Sequence, residues 1–269
     1  MRVRVRLRFS KLGKVRFTSQ RDVARMWERA LRRDGFPMAY TAGFSPRPQL
    51  SFGLALPTGC ESLAEYLDVT VDEGRPEAEA LDVAGSPGRL TPLLPDGIDV
   101  TSAGVLEAGS DSLQELVTSC RWALALTGES HEEVAERLAA ALSADSLPVV
   151  RRRKGRIVTD DLRPSIIALE VMAREDDDRE DSSVDVVAEL ATRPRGVRPP
   201  ELMAVLSATG APGERSVCTV GEDHGLRLRR ACRTNQWIEC GGSRREPLSE
   251  TGGPSRWPVR PTHAWERAS

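Results

Sequence analysis

Much of what catalytic and metal chemistry draws on is scarce in this chain. Histidine occurs only at His131, His224 and His263, so imidazole acid–base catalysis and histidine metal cages have few members available. The cysteines, Cys60, Cys120, Cys218, Cys232 and Cys240, are odd in number and lack paired spacing, so they encode neither a disulfide framework nor a zinc ribbon. Cys218, Cys232 and Cys240 with His224 are the one set worth weighing for a metal, and their spacing matches no zinc motif. No CxxxCxxC occurs, so the cysteine triad that holds a radical SAM iron–sulfur cluster is missing. Neither a metal nor a cofactor is expected. Aromatic residues make up 4% of the chain, which disfavours an RRM-type sheet that stacks bases on its face. Apolar runs fall far short of the roughly 20 residues that cross a bilayer. The N-terminus alternates Arg with apolar residues where a signal peptide needs an apolar stretch. The expectation is a cytoplasmic protein without membrane contact.

What is present is an uneven distribution of charge. The whole chain balances at −2, yet residues 1–50 hold 13 Lys+Arg against 3 Asp+Glu, a net of +10 that leaves −12 on the remainder. Such asymmetry implies a polyanionic partner for the basic part, or docking of the two parts on each other.

Residues 2–9 read Arg-Val-Arg-Val-Arg-Leu-Arg-Phe. This period-two alternation predicts a strand with Val3, Val5, Leu7 and Phe9 on one face and Arg2, Arg4, Arg6 and Arg8 on the other. A basic loop follows, and Ser19 with Asp22 caps a helix over about 20–33 that ends at Gly35. Prolines stiffen Gly43-Phe44-Ser45-Pro46-Arg47-Pro48. Strands are predicted near 50–56, 63–71 and 98–105, with weak helical character over 75–94. The order strand, helix, strand, strand, helix, strand is the ferredoxin-like βαββαβ arrangement. The second half repeats it loosely, with strands near 121–126, 166–171, 184–190 and 226–238, helices over 131–142 and from 200, and a hairpin at 149–158. The predicted fold is α+β, two tandem ferredoxin-like modules: a basic module over 1–105, a linker over 106–118, a second module over 119–240 and a flexible tail over 241–269.

Three groups are candidate sites. The row Arg2, Arg4, Arg6 and Arg8 would contact RNA phosphates if its sheet face is free; otherwise it would pair with acidic residues such as those near 175–181. Lys11, Lys14 and Arg16, leading through Gly13 to Ser19, Gln20 and Arg21 at a helix N-terminus, suit a phosphate or carboxylate, although no Walker loop is present. Arg47, held between two prolines, suits an anion or a protein contact. The run 151–156 reads as a charged hairpin edge. Asp22 reads as a cap, and Glu61, Glu65 and Asp68 as strand-surface residues. None of these groups spells out a reaction, and no catalytic residue is assigned.

The blocks Val15-Arg16-Phe17-Thr18-Ser19-Gln20-Arg21-Asp22, Glu28-Arg29-Ala30-Leu31-Arg32-Arg33, Gly43-Phe44-Ser45-Pro46-Arg47-Pro48, Leu50-Ser51-Phe52, Glu61-Ser62 and Glu65-Tyr66 carry a resemblance. So do Asp161-Leu162-Arg163-Pro164, Arg198-Pro199-Pro200-Glu201-Leu202 and Arg233-Thr234-Asn235-Gln236-Trp237. Together they resemble the bacterial radical SAM-linked protein family, a domain of unknown function, over nearly the whole chain to about residue 248. The resemblance implies a radical SAM protein as partner and an RNA or ribosome-related setting, since the family is encoded beside such enzymes and often near a ribonuclease and ribosomal proteins. Many relatives carry His where this chain has Gln20, and some where it has Arg47. Amide and guanidinium groups do not titrate near neutral pH, so a binding role survives that exchange better than a catalytic one. The leading expectation is an accessory protein that positions RNA or a ribonucleoprotein for a radical SAM enzyme. A metal-independent endoribonuclease and a protein-only adaptor are the alternatives.

Overall fold

The Val/Arg alternation does form a strand, β1 (Arg4–Lys11), and its two faces meet different fates. Val5, Leu7 and Phe9 enter an apolar core with Trp27, Leu31, Leu67 and Val69. Phe9 and Trp27 meet edge to face with ring centroids 4.9 Å apart, which ties the strand to helix α1 (Gln20–Asp34). Ser19 accepts a hydrogen bond from the Asp22 amide at the start of that helix, and Gly35, at φ +73°, ends it in the left-handed region open to glycine. The computed structural model describes residues 3–106, 110–153, 155–173, 183–209, 218–219 and 225–248. The chain divides into two units, residues 1–117 with 237–269, and residues 118–236.

In the first unit β1 and α1 are followed by β2 (Leu50–Phe52), β3 (Glu61–Thr70), the short helices α2 (Pro76–Glu79) and α3 (Ser86–Leu90), and β4 (Val100–Leu106). The sheet order is β4-β1-β3, with β2 on the outer side of β3 and every neighbouring pair antiparallel. Helix α4 (Leu113–Leu116) follows, closed by a reciprocal pair of bonds between Ser112 and Glu115. It lies within the stretch expected to be a linker. Leu113 and Val117 are buried, so this stretch completes the first unit.

The second unit runs β5 (Ser119–Thr127), α5 (His131–Ser143), β6 (Pro148–Arg153), β7 (Arg156–Asp161), β8 (Ile166–Val171), β9 (Val184–Ala191), α6 (Pro199–Ala208), β10 (Cys218–Thr219) and β11 (Arg227–Cys240). One sheet has the order β11-β5-β9-β8, and β10-β6-β7 form a separate small sheet. Arg137 on α5 binds Glu129 through Nε and Nη2 at 2.6 Å each and donates Nη1 to the Leu206, Ser207 and Thr209 carbonyls at the end of α6. One guanidinium thus neutralises a carboxylate and caps a helix C-terminus.

The division places Trp237 to the end of β11 in the first unit, where β12 (Ser243–Arg245) pairs with it. Residues 241–248 are therefore not the tail expected from composition, and residues 249–269 lie outside the described residues. Leu248 reaches β4 so closely that a Cβ on Gly104 would stand 2.9 Å from its Cδ1.

The other face of β1 is covered too, which corrects the expectation of a free arginine row. Arg6 and Arg8 are each 2% exposed. Arg6 stands opposite Asp68 across the β1–β3 ladder and grips it with two bonds, Nε to Oδ1 at 2.7 Å and Nη2 to Oδ2 at 2.8 Å. Its Nη1 reaches the Pro247 carbonyl at 3.4 Å, and Arg8 faces Glu246 at 3.6 Å. Arg4, half-buried, donates to the Ser110 carbonyl. Glu61, Glu65 and Asp68, expected on a strand surface, are all buried.

Removing one partner of a buried ion pair leaves the other charge uncompensated at a cost of about 3–5 kcal/mol. Asp68→Asn is therefore expected to lower the urea unfolding free energy by about that amount. The double variant Arg6→Met/Asp68→Leu, which removes both charges, recovers most of the loss.

Candidate nucleic-acid interface

The basic loop after β1 is built around a carboxylate of the protein itself. Residues Gly13–Phe17 form one 3-10 turn, in which the Gly13 amide donates to Glu61 Oε1 at 2.8 Å and Arg16 Nη1 to the same oxygen at 3.2 Å. Glu61 is 1% exposed and stands where an external anion was expected. Lys11 is buried and donates Nζ to the Thr18 carbonyl at 3.0 Å. Burial pushes its ammonium below the usual lysine range, with Glu65 and then Cys60 opposing the shift. At the helix start Ser19 Oγ donates to Asp22 Oδ2 at 2.7 Å, so that N-terminus already has its negative charge.

Other cations remain on the surface. Val23, Trp27, Ala30 and Leu31 turn α1 inward, and at about 100° per residue the opposite sector carries Arg21, Arg25, Arg29, Arg32 and Arg33. All five are exposed. Arg25 lies 3.6 Å from Asp22 and Arg32 lies 3.7 Å from Glu28, exposed contacts of little energetic weight. Arg21, Arg29 and Arg33, together with the exposed Lys14 and Arg47, pair with no acid among the described residues. No Asp or Glu occurs from Gly35 to Cys60.

Aromatic rings lie among these charges, on loops rather than on the sheet. Phe17 is 62% exposed and Phe44 fully so, at 110%. Arg16 covers one side of the Phe17 ring, 4.6 Å from its centroid. Phe44 stands in a loop closed at its base by the Thr41 amide on the Arg47 carbonyl at 2.9 Å and the Arg47 amide on Thr41 Oγ1 at 3.0 Å. Arg32 Nε reaches the Tyr40 hydroxyl at 3.5 Å, which sets the foot of this loop at the C-terminal end of α1.

Of the residues singled out from sequence, Lys14, Gln20, Arg21 and Arg47 are exposed, with Ser19 as the cap. Arg6, Arg8 and Lys11 are buried, and Arg4 and Arg16 are spoken for by Ser110 and Glu61. Arg2 and His224 lie outside the described residues. The rings of Phe17 and Phe44 were not anticipated. The signal for the second was its place between Gly43 and Pro46, where nothing in the local pattern calls for an apolar side chain. Among the described residues no group of three or more His, Cys, Asp and Glu is arranged to hold a metal ion.

Residues 4–199 match the family described as an uncharacterized protein conserved in bacteria (DUF2344). The chain belongs to this family. A comparison of the DUF2344 chain with curated proteins finds no match. Among solved structures it is similar to a Cbf5–Nop10–Gar1 complex at 11% identity and a TM-score of 0.43, covering 86% of this chain and 48% of that one. The archaeal box H/ACA sRNP Nop10–Cbf5 complex gives 9% identity, a TM-score of 0.40 and coverage of 86% and 47%. An H/ACA RNP bound to a substrate RNA containing 2'-deoxyuridine gives 10%, 0.39, and 85% and 47%. The chain thus spans about half the length of the solved chains it matches. At these scores the likeness says nothing about function.

The buried lysine yields a pH dependence. A lysine whose pKa is depressed on folding binds fewer protons folded than unfolded, so stability rises with pH up to the unfolded value of about 10.4. Lys11→Met is expected to flatten the rise in unfolding free energy between neutral pH and about 10 in urea titrations. A slope identical to that of the parent protein would refute the assignment.

Proposed function

We propose that this DUF2344 protein is an RNA-binding accessory of a radical SAM enzyme, positioning RNA or a ribonucleoprotein substrate from the outer face of α1. The observation that carries the reading is the set of exposed cations Lys14, Arg21, Arg29, Arg33 and Arg47, which have no acidic partner among the described residues. Surface guanidinium groups held on a rigid helix bind phosphates by releasing counterions, and arginine adds two-pronged hydrogen bonds to phosphate oxygens. The enzyme partner rests on the family resemblance of the sequence blocks described above. The reading of both units as ferredoxin-like modules is supported by their strand orders, β4-β1-β3-β2 and β11-β5-β9-β8, each with a helix between its first two sheet strands. No helix among the described residues is long and apolar enough to cross a membrane, and a cytoplasmic location belongs to the proposal.

Removal of one phosphate-binding cation reduces the dependence of log K on log salt by about 0.7 for a single strand. Fluorescence anisotropy of labelled RNA across a potassium chloride series is expected to give weaker binding for Arg21→Gln/Arg29→Gln and a slope reduced by about 1.4. An unchanged affinity and slope would remove α1 from the interface. Co-purification with a radical SAM protein, with and without ribonuclease, tests the partnership. Absence of that enzyme from both preparations would overturn it.

A further inference from the structure

We infer that the loop over residues 41–48 is a stacking platform for an unpaired nucleobase, with the Phe44 ring taking the base and Arg47 the adjacent phosphate. The inference rests on the RNA-binding reading and specifies its ligand as single-stranded RNA. The loop is stiff where stiffness serves this end. Beyond the two Thr41–Arg47 bonds at its base, the Gln49 amide donates to the Ala39 carbonyl at 2.9 Å and its side-chain amide to the Tyr40 carbonyl at 3.1 Å. Tyr40 also bridges to Pro48. Pro46 and Pro48 fix their own φ angles, and Gly43 adopts φ +117°, a conformation that side chains rarely accept. With the backbone under the ring already ordered, binding there costs less conformational entropy than on a mobile loop.

Phe44 is the most exposed large apolar side chain among the described residues, and it gains nothing from folding in that position. Its surroundings select the partner class. No acid lies between Gly35 and Cys60, and the exposed Arg47 stands three residues from Phe44 on the same loop, so an aromatic face is offered beside a positive charge that attracts a polyanion. A base in a duplex is already stacked on both sides, and the A-form major groove is too narrow to admit side chains. A free strand offers its bases to aromatic rings together with its phosphates. Phe17 repeats the device near the other end of α1, with Arg16 behind one face of its ring. From Ser19 to Arg32 the helix rises about 20 Å, with Phe17 just before its start and Tyr40, at the foot of the Phe44 loop, on Arg32 near its end.

The test uses the full chain and an RNA of about 12 nucleotides carrying 2-aminopurine, as single strand and as duplex, with urea unfolding as a check on the variants. Single-strand binding is expected to exceed duplex binding and to quench the 2-aminopurine. Phe44→Ala should weaken single-strand binding by about 5- to 160-fold and reduce the quenching. It should leave the salt slope unchanged, because no charge is removed. Phe44→Tyr should restore both signals and Phe44→Leu neither. If Phe44→Ala leaves affinity and quenching intact while Arg21→Gln/Arg29→Gln weakens binding, the stacking inference falls and the RNA reading stands. Failure of the parent protein to bind either RNA overturns both. If Phe44→Ala instead abolishes ribonuclease-resistant capture of the radical SAM protein with RNA affinity unchanged, the ring belongs to a protein contact and the inference is overturned.

Discussion

A guanidinium cannot be buried without an anion. The first unit is arranged around that constraint, because alternation along β1 commits one face of the strand to arginine while the sheet has chain to cover both faces. Asp68, directly opposite Arg6 on β3, supplies the two-pronged partner. Glu246 meets Arg8, and the Pro247 and Ser110 carbonyls take further guanidinium protons. In a low-dielectric setting such a pair contributes less to net stability than to register, since any slip of β1 against β3 by one residue would bury charges without partners. The same contacts give the returning segment over residues 241–248 its place, so a stretch beginning Gly-Gly and carrying two arginines becomes ordered cover.

Burial of that row moves the accessible positive charge elsewhere. Inside the unit, Glu61 gathers Gly13 and Arg16, and Asp22 occupies the start of α1. These are the positions where local sequence alone suggested an external anion. What stays exposed of the basic N-terminal part is the outer sector of α1, Lys14, and the loop bearing Arg47 and Phe44. The two populations differ in what they are near, not in composition, and only the second is available to a partner.

The sequence blocks that carry the family resemblance divide in the same way. Arg163 donates to the Leu142 carbonyl at the end of α5, and Asp161 accepts from the Leu147 and Arg163 amides. Glu201 closes the first turn of α6 through the Arg198 amide and binds Arg195. These residues are explained by helix ends and turns that need partners. The block over residues 43–48 has no such explanation. Its backbone is tied down at the base, and its ring and guanidinium are exposed, as the proposed RNA contact requires.

Sequence by itself determined the local elements. Ser19 and Gly35 bounded α1 within a residue of the observed helix, Val5, Leu7 and Phe9 marked the apolar face of β1, and the helical stretch over residues 131–142 marked α5, because caps, glycine conformations and periodicity act over a few residues. It also determined where positive charge concentrates. Which of those charges would be exposed was decided by tertiary structure alone. Arg6 finds Asp68 62 positions away and Pro247 241 positions away, and no local pattern distinguishes an arginine that will meet a carboxylate across a ladder from one that will face water. The reach of the chain end back to β1, and the isolation of Phe44 from every core, follow from the same non-local choice of neighbours.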